Sequence, residues 1–137
     1  MVVAIFQLGL PLAQAAPGDI LRCSTDASWN QATGGDSRLP SLSADGRYVA
    51  FESNAANLVD GDTNGLWDVF RKDLQTGAVV RCSTDALGNQ ATGGVSRDPS
   101  LSPDGRYVTF ASNAANLVEG DTNGLWDVFR KDLQTGA

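Results

Sequence analysis

With 137 residues the chain has room for one modest domain, and 42% hydrophobic with 19% charged residues fits a soluble globular protein, not a disordered or collagen-like one. Sixteen acidic against ten basic side chains give a net charge of -6, which argues against a nucleic-acid partner, because phosphate binding needs clustered Lys and Arg. Histidine is absent, so Ser-His-Asp and Cys-His nucleophiles, His-ligated zinc and histidine acid-base catalysis cannot be built from this chain alone, and chemistry falls to carboxylates, amides, hydroxyls and backbone carbonyls.

In chain order, residues 1–17 carry no charge, are apolar from Val2 to Leu12, and end in Ala13-Gln14-Ala15-Ala16, which suits signal-peptidase cleavage. A basic start is missing, so the segment reads either as an export leader, giving a secreted or periplasmic protein, or as an upstream strand behind a mis-assigned start. Gln7 and Pro11 interrupt it, and it is too short for a membrane span. From Arg22 the sequence repeats: residues 22–78 and 81–137 align without a gap at an offset of 59 and differ only at positions 28, 29, 36, 39, 44, 50, 52 and 60. Two copies this close are one structural unit written twice.

No apolar run has helical spacing, and each unit reads as short strands split by turns, so the expected fold is all-β. Pro40 to Ser43 is a first strand, Ala44-Asp45-Gly46 a tight turn, and Arg47 to Ser53 a second strand with Val49 and Phe51 on one face and Tyr48 and Ala50 on the other. Asp68 to Leu74 is a third strand and Ala78 to Thr84 a fourth, with an earlier copy of the fourth at Ile20 to Thr25. Four antiparallel strands followed by a longer link make a propeller blade. The division expected is 18–35 as the last strand of a preceding blade with its connection, 36–94 as one blade, and 95–137 as a second blade lacking its last strand. Because propellers close with about 4 to 8 blades, the sequence reads as part of a longer chain or as a unit completed by other chains, with self-association expected through open strand edges.

Ser102-Pro103-Asp104-Gly105-Arg106-Tyr107-Val108-Thr109-Phe110 and its partner Ser43 to Phe51 resemble the S-P-D-G-x-x-[IV]-[AV]-[FY] signature of TolB-type, WD40-like (PD40) β-propeller repeats of bacteria. Asp62-Thr63-Asn64-Gly65 leading into Asp68-Val69-Phe70 is similar to a mostly exported subgroup of these. The resemblance implies the fold, but propellers host many functions. It is compatible with a non-catalytic scaffold binding a protein partner or further blades, with the propeller part of a peptidase-type hydrolase whose catalytic domain lies elsewhere, and with a periplasmic envelope protein.

The most chemical feature is the loop from Asp60 to Asp68. Counted from Asp60, the side-chain oxygens of Asp60, Asp62, Asn64 and Asp68 fall at the first, third, fifth and ninth places, with Gly65 at the bend and the Leu66 carbonyl at the seventh. That is the spacing of a calcium loop. Glu119, Asp121, Asn123, Leu125 and Asp127 repeat it. Arg71 and Arg130 stand where an EF-hand has its bidentate glutamate, and no helices flank the loop, so a site here is of the weak extracellular kind, about 0.1 to 1 mM. The same residues also suit a plain solvated turn, and both readings stand.

Other sites read more weakly. Asp62-Thr63-Asn64-Gly65 departs from the aspartic-protease triplet, Asp60 and Asp68 share one loop and make a poor glycosidase pair, and Gly94-Val95-Ser96-Arg97-Asp98 lacks the final glycine of a nucleophile elbow. No catalytic residue is therefore expected in this chain. Trp67 and Trp126 are expected to wedge the loops against the blades, and Trp29, where the other copy has Gly88, to stand exposed. Cys23 and Cys82 occupy equivalent places on neighbouring blades, too far apart for a disulfide, and are expected to be free and inert.

Overall fold

A computed structural model describes residues 16–137. The leader reading therefore falls mostly on residues 1–15, which lie outside the described residues. The described residues form seven strands: β1 Ser37–Leu42, β2 Tyr48–Ser53, β3 Asp68–Asp73, β4 Val79–Arg81, β5 Ser96–Leu101, β6 Tyr107–Ser112 and β7 Asp127–Asp132. They pair into two antiparallel sheets ordered β1-β2-β3-β4 and β5-β6-β7, the propeller-blade layout that the repeat implies. No helix among the described residues is long and apolar enough to cross a membrane.

Side chains fix each turn. Between β1 and β2, Ser43 Oγ and the Arg47 N–H both donate to Asp45 Oδ1 at 2.7 and 3.0 Å, and the Tyr48 N–H returns to Ser43 Oγ at 2.9 Å. Ser102, Asp104 and Arg106 rebuild the same turn between β5 and β6. After β3, Asp73 Oδ1 accepts the N–H groups of Gln75 and Thr76 at 2.9 and 3.3 Å, which bends the chain back into β4.

Three segments differ most from the sequence reading. The first strand begins at Ser37 and not at Pro40, because the β1–β2 register slips between Arg38 and Ser41 with Leu39 at φ 51°, a bulge that excuses Pro40 from donating to the ladder. Asp98, at φ 55°, repeats the bulge before Pro99. The fourth strand contracts to Val79–Arg81, and Ile20 to Thr25 forms no strand at all beyond an isolated Thr25–Gln31 bridge. A strand needs an edge to pair with, and no described strand lies beside residues 20–24 as β3 lies beside β4.

Alternation along β2 sorts the core as the sequence suggests. Val49 and Phe51 face one cluster with Ala55, Leu58, Phe70 and Leu74, onto which Cys23, Trp29 and Ala32 pack. Ala50 and Val69 face the opposite way, into the second cluster between the sheets, against Cys82, Ala91, Val108 and Phe110. Burying side chains of that size stabilises the stack by roughly 1.5 to 3 kcal/mol each. Polar contacts set the spacing of the two sheets: Ser96 N–H donates to the Trp67 carbonyl at 2.7 Å, Leu101 N–H to Ser41 Oγ at 2.9 Å, and Asp98 N–H to Glu52 Oε2 at 2.8 Å. Cys82 is a free thiol inside this cluster, and burial pushes it up to about 12, far from a reactive thiolate.

Candidate functional site

The loop between β2 and β3 folds over the outer end of its sheet. Asp62, Asn64 and Asp68 come together there, and they converge on an arginine. Arg81, just inside the end of β4, places Nη2 3.5 Å from Asp62 Oδ1 and Nε 3.9 Å from Asp68 Oδ2. Its Nη1 donates to Gln90 Oε1 at 2.8 Å, while Gln90 Nε2 donates to Thr63 Oγ1 at 2.8 Å. Asn64 Nδ2 donates to Asp68 Oδ2 at 2.7 Å and to the Ala91 carbonyl at 3.1 Å, and its Oδ1 accepts the Leu66 N–H at 2.8 Å. Ser83 Oγ supplies a further hydrogen bond, 2.6 Å from Asp68 Oδ1. Burial pushes the Asp62 and Asp68 carboxyls above their ordinary range, opposed at Asp62 by Arg81 and at Asp68 first by the Ser83 and Asn64 hydrogen bonds and then by Arg81.

Asp60 is exposed and makes no hydrogen bond or ion pair among the described residues. Leu66 joins the network through its N–H. Among the described residues no three Asp, Glu or Cys side chains form a group that could hold a metal ion. Arg81 is thus the positive charge beside the carboxylates of the first loop. Sequence spacing along the loop could not show it, because Arg81 arrives from a strand that follows the loop; its recurrence as Arg22 was the available signal.

The second loop keeps the turn and not the arginine. Asn123 Nδ2 donates to Asp127 Oδ2 at 3.1 Å and Asn123 Oδ1 accepts the Leu125 N–H at 2.7 Å, while Glu119 lies exposed. Among the described residues no Lys or Arg forms an ion pair with Asp121 or Asp127. Arg22 points elsewhere, its Nη1 donating to Gln31 Oε1 at 2.7 Å just as Arg81 donates to Gln90.

Other sequence candidates resolve structurally. Trp67 is a wedge, with the Arg38 guanidinium 4.0 Å and that of Arg97 5.5 Å from its ring. Trp29 is half-buried, contrary to expectation: at φ 66° it turns inward and carries Lys72 Nζ 4.0 Å above its ring. That ammonium donates to the Asp26 and Gly77 carbonyls at 2.6 and 2.8 Å, so the cation and the backbone hold the ring down. Ser96 is buried and its Oγ donates to Ser112 Oγ, with no base beside it. Asp60 and Asp68 differ sharply, one in solvent and one fully buried.

No protein-family model matches the chain, and no curated protein matches it. Among solved structures it is similar to TolB from Acinetobacter baumannii, at 24% identity over 78% of this chain with a TM-score of 0.45. The chain spans 20% of that structure's length. The architecture described above rests on the chain's own sheets.

Proposed function

We infer that the chain is a non-catalytic, exported β-propeller repeat segment serving as a scaffold for protein contacts. The exposed face of the second sheet carries this reading. Val69 is fully buried, yet its counterpart Val128 is 80% exposed, and Leu125 and Trp126 beside it are 65% and 52% exposed. The outer edge of β7 runs along this face, and among the described residues no strand pairs with it as β4 pairs with β3. An apolar face beside open backbone N–H and C=O groups suits an added strand. Asp121 and Asp127, which form no ion pair among the described residues, favour a basic side chain in that strand. Export is supported by the uncharged apolar start of the sequence and by the resemblance of the repeats to exported ones.

The test is a fluorescent peptide with the sequence of residues 78–92, titrated into the chain. Saturable binding that Val128→Glu abolishes supports the scaffold, and an absence of binding overturns it. The calcium reading of both loops is a separate proposal and rests on their acidic spacing. Calcium at ten times Kd adds about 1.4 kcal/mol, so the Tm rises in calcium and Asp121→Ala removes the rise. An unmoved Tm leaves both loops as turns.

A further inference from the structure

We propose that the seam between the two sheets holds a carboxylate, brought by a small organic acid or by the end of a peptide, with Arg71 as its counter-ion. The site lies apart from the exposed face that carries the scaffold reading and stands without it. A cavity of about 240 Å³ opens where the β5–β6 turn crosses Tyr48, walled by Tyr48 and Arg71 of the first sheet and by the 104–106 turn, Leu133 and Gln134 of the second. Each wall is therefore part of the contact between these two sheets.

Arg71 is a cation without a counter-charge. The chain has 16 acidic side chains, yet among the described residues none forms an ion pair with it. Its Nη1 donates to the Gly105 carbonyl at 2.6 Å, and its Cζ lies 4.5 Å from the centre of the Tyr48 ring. Glycine at 105 lets that ring in, since a Cβ there would lie 2.2 Å from Tyr48 Cδ2. Nε is buried without a hydrogen-bond partner, which leaves Nη2, unbonded among the described residues, as the donor for a ligand. Polar groups at a protein's interior walls are nearly always satisfied, and a ligand oxygen supplies what this guanidinium lacks. The aromatic stack and the Gly105 carbonyl fix its position beforehand, which lowers the ordering cost of binding.

The second sheet adds donors and balances its own charges. Arg106 spends Nε and Nη2 on Asp132 at 3.0 and 2.7 Å and keeps Nη1 open. Gln134 gives its N–H to Asp132 at 2.9 Å, while its side-chain amide makes no hydrogen bond among the described residues. Asp104 is the carboxylate in the wall, and its Oδ1 already accepts Ser102 Oγ at 2.6 Å and the Arg106 N–H at 3.0 Å. With Asp132 matched by Arg106 and Asp104 held by its own turn, Arg71 is the charge left to balance. One guanidinium suits one negative charge. A phosphate dianion would carry a second charge out of water with no counter-ion, a cost that a carboxylate avoids. Leu133 and the Tyr48 ring give a short hydrocarbon tail apolar surface to rest on.

Butyrate is the probe, titrated into the isotope-labelled full chain and followed by NMR, with neutral butyramide as the control at equal ionic strength. Saturable shifts of the Gly105, Arg106 and Gln134 N–H signals with a millimolar Kd, absent with butyramide, are expected. Arg71→Gln should weaken binding by about tenfold or more. Arg130→Gln removes the same charge at the equivalent place of the second sheet, over Tyr107 and outside the cavity, and should leave Kd within about twofold. Gln134→Glu sets a competing carboxylate at the rim and should weaken binding by about tenfold; residue 134 is exposed, so this variant keeps its fold even where Arg71→Gln does not. Acetylated dialanine with an open carboxyl end, compared with its amide, separates the two sources: binding tighter than butyrate assigns a peptide end, and weaker binding a free acid. Shifts that do not saturate, equal binding of butyramide, inorganic phosphate bound more tightly than butyrate, or undiminished binding in folded Arg71→Gln or in Gln134→Glu each overturn the proposal.

Discussion

Arg81 is the residue on which the first loop depends. Two carboxylates buried beside one guanidinium are tolerable together, and removing the cation strands both. Arg81→Met should therefore cost about 3 kcal/mol in urea unfolding at neutral pH, whereas Arg22→Met, at an exposed twin position, should cost less than about 0.5 kcal/mol in the single chain. A second residue-scale effect follows from Asp73. Burial alone pushes its carboxyl up, but the Arg47 guanidinium at 2.8 and 3.1 Å and the N–H groups of Gln75 and Thr76 outweigh it and hold it at about 2, below its ordinary 3.8. Because the folded value is the depressed one, the stabilisation is complete above about pH 4 and is lost as pH falls towards about 2. Asp132, paired with Arg106, is likewise held below the usual carboxylate range, its side-chain bond to that arginine being the largest cause. Urea midpoints measured across that range should fall steeply, and Asp73→Asn should start lower and fall less.

At the scale of elements, the turn before β6 is where one sheet leans on the other. A Cβ on Gly105 would lie 2.2 Å from Tyr48 Cδ2, while one on Gly46, the equivalent turn, meets nothing within 4 Å. Both glycines have φ near +75°, so Gly46→Ala should cost about 1 to 2 kcal/mol from backbone strain alone. Gly105→Ala should cost about 1 to 3 kcal/mol more, because the ring of Tyr48 must shift. Calorimetric Tm values of the two variants separate the effects. Elements of this kind were largely legible in the sequence: aromatic and β-branched runs marked β2 and β6, and S-x-D-G marked the turns. What escaped was set by partners distant in the chain. The sequence reading started β1 only at Pro40, because a bulge is invisible without its opposite strand. Ile20 to Thr25 looked like a strand because its twin contains one, and among the described residues it has no neighbouring strand to pair with. Trp29 looked exposed at a glycine position, since nothing local announces Lys72. The loop carboxylates were legible, and the arginine between Asp62 and Asp68 was not.

For the whole molecule, one charged contact ties the two sheets together. Glu52 Oε2 takes the Asp98 N–H across the seam at 2.8 Å, while Ala111 stands at the equivalent place of the second repeat. Glu52→Ala leaves that N–H without its acceptor and should cost about 1 to 3 kcal/mol, read as a lower urea midpoint. The near-perfect duplication is thus broken at the position where one sheet grips its neighbour, and a chain with alanine at both places should show its two sheets melting out of step.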